Sequence, residues 1–589
     1  MTSFGNGDRV ILYLMICAAA YFMLPFRIYA TFVTVSMAVG LWCLHYESSY
    51  FERRGIKSPK GNILYGSSLD VLNDTILFDL RNFQQLGTKH FGAFVFGRKE
   101  LTTIDLDLLK EVGLRNFSHF TDKFSFVGHG GDNGVMANIL DFLPGDDWKR
   151  VRASVTPVFT ASKLRKLLPL INQCTEKCFG LIEKHIESGE KLDIRIMLGR
   201  VSIDVAGQAG FSLDVNPHNE KEESLFLKQT QSSLDGIVTG GLTGWKALAA
   251  TLCPFLINKM KFCLGVDISE HHTHKFLNNF MDQMYTRRMS EPLEQRKSKG
   301  DIFQLLMDVV EEEEGCLNDD GQFNGGRRRS LYDLFSFGSR KPSIAPQMRR
   351  QSVAGIAPGN VAFPQTMSRK RSMSKPELFS QAFLVFVSGY DSTVPTTLRM
   401  ILYMLALHPE VQQRLYEEIE EIMGDEVRPE VRYEHLQQLK YLEQVIQETL
   451  RMYPVAPRVN RECVKEITID GIEFQPGDIV NIPIYAIHHN PDYFPEPEKF
   501  DPERFSPDEM AGRDPLAYIP FGFGPRSCIG MRFAQFQIRV IIVRLIKKFV
   551  FERAEGSPVL PLKLECGELV KPIETLYVNV HHRKTEEYL

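Results

Sequence analysis

Three kinds of periodicity divide the chain. From Val10 to Phe26 it reads VILYLMICAAAYFMLPF, and after Arg27 a second run, IYATFVTVSMAVGLWCLHY, continues to Tyr46 with no Asp, Glu, Lys or Arg. Each approaches the ~17 to 25 residues that span a bilayer. Between Lys57 and about Val310, apolar residues recur at spacings of three and four, as in KLRKLLPLINQCTEKCFGLIEKHIES, which predicts amphipathic helices joined by polar loops. From Glu311 to Lys375 this period lapses into a stretch rich in Arg, Ser, Gly and Pro, expected to be a surface insertion without regular structure. The helical pattern returns in PELFSQAFLVFVSGYDSTVPTTLRMILYMLALHPE and YLEQVIQETLRMY. Pro395 predicts a bend in the first of these, because it has no N–H for the Asp391 carbonyl. CVKEITIDGIEFQPGDIVNIPIYAI and LKLECGELVKPIETLYVNVHH read as short strands, with a helix from Gly530 to Lys548 between them. The expected class is α+β, mainly α, with minor antiparallel sheets. A membrane anchor of one or two segments is expected over 1–50, and one large domain over 51–589, interrupted at 311–375.

Charge and cysteine usage narrow the function. Of the 589 residues, 69 are Lys or Arg and 73 are Asp or Glu, a net charge of -4 that marks no nucleic-acid binder. The ten cysteines form no CxxC pair, which points to free thiols in a reducing compartment. No cleavage region of small residues follows the first apolar run, so a retained anchor is expected rather than a signal peptide. Arg53, Arg54, Lys57 and Lys60 then hold the following chain on the cytosolic side. The insertion is strongly cationic from Arg327 onward, with Asp333 its single acid up to Lys375. Within it, RRRS, RRQS and RKRS place Ser330, Ser352 and Ser372 after basic residues, as basophilic kinases require.

Residues 521–530 read FGFGPRSCIG, a glycine-rich turn that presents one cysteine just before a helix. A helix N-terminus favours thiolate over thiol, so Cys528 is a candidate metal ligand. The spacing of Phe521, Gly524, Arg526, Cys528 and Gly530 resembles the cysteine-ligand signature of the cytochrome P450 family. GDDWKRVRASVTPVF resembles the family's WxxxR helix through Trp148 and Arg152, ETLR supplies Glu448 and Arg451 of its ExxR pair, and FDPERF supplies Arg504. The resemblance runs from about Gly55 to Arg583. ETLRMYPVAPRVNREC, PEPEKFDPERFSP and CIGMRFA look most like the clan of vertebrate drug- and steroid-oxidising enzymes and thromboxane synthase.

The resemblance implies haem b with Cys528 as the proximal thiolate, which pushes electron density toward bound dioxygen. Phe521 and the loop N–H groups would tune that sulfur. Arg152, Arg526 and either Arg461 or Arg458 would pair with the haem propionates, with Trp148 donating its indole N–H. Glu448, Arg451 and Arg504 would form a buried ion network. FVSGYDST resembles the oxygen-activation segment, with Asp391 and Ser392 as the proton-delivering acid and alcohol and Thr393 able to compensate for the serine that stands where threonine is usual. The substrate would be lipophilic, with a wall near Phe117, Phe120, Phe124 and Phe126. Electrons would come from NADPH through a flavoprotein reductase docking near Lys149, Arg150, Lys547 and Lys548, with cytochrome b5 a further partner. The location implied is the endoplasmic reticulum membrane. A haem-thiolate isomerase and a haem-based sensor are the competing functions, and the Asp391–Ser392 pair argues against both.

Overall fold

The computed structural model describes Met15 and residues 26–62, 65–95, 97–124, 138–215, 271–314, 373–389, 393–424, 430–566 and 569–583. Helix α1 (Phe26–Ser48) leads into the body. The body is built on α2 (Gly145–Val155), α3 (Leu168–Ser188), α4 (Ile194–Phe211), α5 (Lys375–Gly389), α6 (Val394–Leu407), α7 (Lys440–Met452), α8 (Ile484–His488) and α9 (Met531–Lys548). Helix α6 reads VPTTLRMILYMLAL and is buried along nearly its whole length, as a segment apolar on every face must be. It packs on α4, α7 and α9, and α3 closes the group against α4 and α9.

Among the described residues the strands form four small sheets. The largest, in the order β1 (His90–Val95), β2 (Arg98–Thr103), β7 (Ile479–Ile482), β4 (Val459–Glu462), is antiparallel except where β2 meets β7. That parallel pair, not anticipated from the sequence, needs a crossover, and most of the helical body lies within it. The other sheets are entirely antiparallel: β3 (Leu192–Asp193), β11 (Tyr577–His582) and β8 (Phe549–Arg553); β5 (Ile467–Ile469) with β6 (Ile472–Phe474); and β9 (Leu564–Cys566) with β10 (Val570–Pro572).

The structure bears on three of these expectations. The second apolar run forms α1, but among the described residues no helix is long and apolar enough to cross a membrane. The first run lies outside the described residues apart from Met15. At the insertion, a helix extends over Ile302–Glu314, past the expected boundary at Glu311, because Ile302, Phe303, Leu306 and Met307 anchor it to the core. Chain 315–372, with Ser330, Ser352 and Ser372, lies outside the described residues. Where the bend is expected, α5 is described to Gly389 and α6 from Val394, with Pro395 in the first turn of α6, where a missing N–H costs nothing, and residues 390–392 lie outside the described residues.

Candidate functional site

The turn before α9 is built by its own backbone. Gly522 and Gly524 take left-handed φ of 68° and 69°. The Cys528 N–H donates to the Phe521 carbonyl at 2.9 Å, and the Ser527 N–H to Gly524 at 3.0 Å. Gly524 has a second reason to be glycine: a Cβ there would overlap the carbonyl of Gly113, in the turn Glu111–Arg115 on which the loop rests. Cys528 is thereby fixed just before α9, with its side chain exposed. The helix end does not by itself make it a thiolate. Burial among protein groups pushes the thiol up, and the Gly530 N–H and the charges of Arg152 and Lys123 only partly offset this. A metal cation at the sulfur reverses that balance, since a coordinating thiol loses its proton outright.

Around Cys528 the charges do not cancel within the protein. Burial lowers the guanidinium of Arg461 to about 10, with Asp141 opposing and Arg152 adding to the effect. Burial lowers Arg526 to about 9, again against Asp141. Arg152 and Lys123 are lowered by the same cause, and Lys123 is paired with Asp141. Arg526 gives its donors to the carbonyls of Thr121 (2.8 Å) and Leu143 (2.8 Å) while its guanidinium carbon lies 4.2 Å from the centre of the Trp148 ring. Trp148 is buried, with Arg152 5.7 Å from its centre on α2. Arg461 bonds to the carbonyls of Asn460 (2.7 Å) and Phe523 (3.3 Å), and its Nε is buried without a hydrogen-bond partner. Two buried guanidiniums, Arg461 and Arg526, with the half-buried Arg152 and Lys123 beside them, share chiefly the exposed Asp141, and the unused Nε of Arg461 leaves room for further anionic oxygen. The residues therefore fit a group that carries carboxylates beside a thiolate-binding metal, as haem does.

Arg458 does not compete for that role. Its guanidinium is held by Asp79, with Glu100 at 3.7 Å, so it knots helix Thr75–Leu86 to the β2 edge. Glu448 and Arg451 on α7 are fully buried and form a forked pair at 2.7 and 2.9 Å. Arg504 lies 3.5 Å from the Glu448 carboxylate, which also accepts the Asp501 N–H at 2.9 Å. Arg451 further donates to the carbonyls of His488 (3.1 Å) and Lys499 (3.4 Å). The three charges are thus one network that clamps α7 to the segment before the cysteine turn.

Between α5 and α6, Thr393 Oγ1 donates to the Ser388 carbonyl at 2.7 Å. Asp391 and Ser392 lie outside the described residues. Of the aromatic wall, Phe120 is fully buried against Phe474 and belongs to the core, Phe117 packs on Trp148, Phe124 lies beneath Arg98, and Phe126 is outside the described residues. The basic face is internally matched: Lys149 meets Asp146, Arg150 meets Asp147 and Glu377, Lys547 meets Glu420, and Lys548 meets Glu183. Lys123 and Asp141 carry no recognisable motif and escape sequence reading. Only their place beside the propionate-type arginines reveals them.

A sequence profile of the family described as Cytochrome P450 matches residues 56–322 and 356–580, and its gap falls inside the cationic insertion. Among curated proteins, the chain is 27% identical over 551 residues to cytochrome P450 3A31 of Mesocricetus auratus, covering 93% of this chain and 96% of that one. It is 28% identical over 557 residues to cytochrome P450 3A29 of Sus scrofa, covering 94% and 97%. It is 29% identical over 534 residues to cytochrome P450 3A5 of Homo sapiens, covering 90% and 92%. With a presented cysteine, a cluster of cations around it and a match across most of its length, the chain belongs to the cytochrome P450 family and is a haem-thiolate monooxygenase.

Proposed function

We propose that this enzyme is membrane-associated and oxidises a lipophilic organic substrate, with NADPH-derived electrons delivered by a flavoprotein reductase and cytochrome b5 as a second donor. The observation that carries the reading is the turn that presents Cys528 beside Arg152, Arg461, Arg526 and Lys123. Bound haem supplies the redox chemistry, placing one atom of dioxygen on the substrate while the other leaves as water. Cys528 would hold its iron through the sulfur. Arg152, Arg461, Arg526 and Trp148 orient it by its carboxylates, and Phe521 packs behind the sulfur.

Proton supply falls to the segment between α5 and α6. Thr393 spends its hydroxyl proton on the Ser388 carbonyl, so its oxygen is an acceptor. Ser392 is then the hydroxyl with a proton to give, replenished from Asp391 and solvent. A reductase docking at Lys149, Arg150, Lys547 and Lys548 exchanges their internal acids for its own, which makes the docking salt-sensitive. The basic residues after α1 place the catalytic body on the cytosolic face of the endoplasmic reticulum. Ser330, Ser352 and Ser372 are kinase sites; changing all three to alanine removes labelling by a basophilic kinase, and labelling that persists rejects them.

The test of the main reading is turnover of a tissue lipid extract by membranes holding the enzyme, reductase and NADPH under isotopically labelled dioxygen, with Cys528→Ala as the blank. A Cys528-dependent product carrying one labelled oxygen is expected. Products that are unlabelled, or that form without NADPH, overturn it.

A further inference from the structure

Between the ion network and the cysteine turn stands a residue that neither motif contains. His488 closes α8 and is fully buried. Its Nε2 lies 2.9 Å from the Ile519 nitrogen, and its Nδ1 lies 3.2 Å from the Arg451 carbonyl oxygen. A backbone N–H can only donate, so Nε2 must be the acceptor. The one ring proton is therefore on Nδ1, where it is donated to Arg451. Burial, with the neighbouring His489 and Arg451 charges, holds the ring well below the usual histidine range and keeps this neutral form. Tyr518 stacks on the ring at 5.3 Å and Phe494 meets its edge at 6.4 Å, so the ring cannot turn to exchange its partners.

The bonded chain continues in both directions. On one side the His488 carbonyl accepts Arg451 Nη1, so backbone and ring of one residue hold the end of α7 twice. On the other, the Ile519 carbonyl accepts the Gly522 N–H at 2.9 Å, and the adjacent Phe521 carbonyl accepts the N–H of Cys528. A shift of Ile519 is therefore passed to the backbone that aims the sulfur. We propose that His488 is a positioning residue, which in its Nδ1–H form sets the spacing between the Glu448–Arg451 helix and the start of the Cys528 turn, and through it the placement of the thiolate. This rests on the assignment of Cys528 as haem ligand.

The test is the Soret band of the reduced, carbon monoxide-bound full-length enzyme, which separates thiolate-ligated haem from haem that has lost its thiolate. In His488→Gln the side-chain oxygen can still accept the Ile519 N–H, and the thiolate band is retained. His488→Asn is one methylene short of Ile519, and His488→Phe keeps the stacking but neither hydrogen bond. Both lose the thiolate band while haem per chain stays near that of the wild type. If the Phe variant does not fold, the Gln and Asn pair decides. Retention of the band in Asn, or its loss in Gln with retention in Asn, overturns the role. So does loss of haem and of melting temperature in parallel across all three, which is a purely structural part. A wild-type enzyme lacking the thiolate band, or a Cys528→Ala variant keeping it, sinks the ligand assignment instead.

Discussion

Arg451 and Glu448 meet where neither reaches water, and this decides what happens when one is removed. Breaking a buried pair from one side costs about 3–5 kcal/mol, because the charge left behind stays desolvated. In Arg451→Ala the Glu448 carboxylate keeps only the longer contact to Arg504 and the Asp501 N–H. Haem per chain, read by its absorbance against protein, should fall steeply; normal haem content would refute the network's part in holding the proximal side. His489 gives a pH-dependent counterpart. It stacks on Tyr485 at 3.9 Å, its Nδ1 lies 3.0 Å from the Tyr485 carbonyl oxygen, and burial lowers its pKa to about 4. A histidine depressed in the folded state contributes stability that is whole above its unfolded value of ~6.5 and is lost as pH falls toward about 4. The loss is about 3 kcal/mol across that window. Thermal melting at stepped pH should show a shallower decline for His489→Gln; identical slopes would remove His489 as the cause. Between α5 and α6 the order of effects follows from Thr393 having committed its hydroxyl proton to the Ser388 carbonyl. Ser392→Ala should lower product formed per NADPH roughly tenfold or more, the electrons leaving as hydrogen peroxide. Thr393→Val, whose lost bond is to the Ser388 carbonyl, should lower it less. The reverse order would make Thr393 the donor.

At the scale of elements, the cysteine turn works because another turn makes room for it. A Cβ on Gly113 would overlap the Phe523 ring, which is itself buried, and neither backbone nor ring has space to retreat. Gly113→Ala should destabilise the protein by about 1–3 kcal/mol as overpacking does, and should loosen haem. Gly530→Ala is the control inside the same loop. Its φ is negative and the added carbon would sit 4.0 Å from the Cys528 sulfur, an ordinary contact. Equal losses of melting temperature in the two variants would mean that the close approach to Gly113 carries no weight. These two glycines also mark how far the sequence could be read. Gly530 belongs to the local spacing around Cys528, and spacing of that kind is visible in one dimension, as are Glu448 with Arg451 and Trp148 with Arg152. Gly113 lies more than four hundred residues from its partner, and nothing in GLRNFSHF announces it. The choice between Arg458 and Arg461 is of the same sort. Both precede β5 in PRVNREC, and only the arrival of Asp79 and Glu100 from the β2 side removes Arg458 from the site. The parallel β2–β7 pair escaped for the same reason, since strand periodicity sets which face is buried but not which distant strand lies beside it.

At the scale of the whole molecule, the core is anchored on both sides of the chain's most unusual stretch. The helix Ile302–Glu314 is anchored in the core before the insertion begins, and Met373, where the described chain resumes, is fully buried just ahead of α5. The family match stops at 322 and restarts at 356. The contacts given for the ion network, the cysteine turn and the α3–α4–α6–α9 group are made among described residues on either side. Chain 323–355 carries Arg327, Arg328, Arg329, Arg340, Lys341, Arg349 and Arg350 against Asp333, so it concentrates positive charge in a protein of nearly balanced total. Each basic residue near an anionic leaflet contributes about 1 kcal/mol, and the attraction fades within a Debye length. Replacing 323–355 by a short Gly/Ser linker should leave the thiolate Soret band and the melting temperature as they are. The same change should weaken binding to vesicles containing phosphatidylserine and flatten its salt dependence, while binding to neutral vesicles should be unaffected. A fall in melting temperature would instead make the insertion part of the folded body, and unchanged binding to anionic vesicles would show that its charge serves something other than a lipid surface.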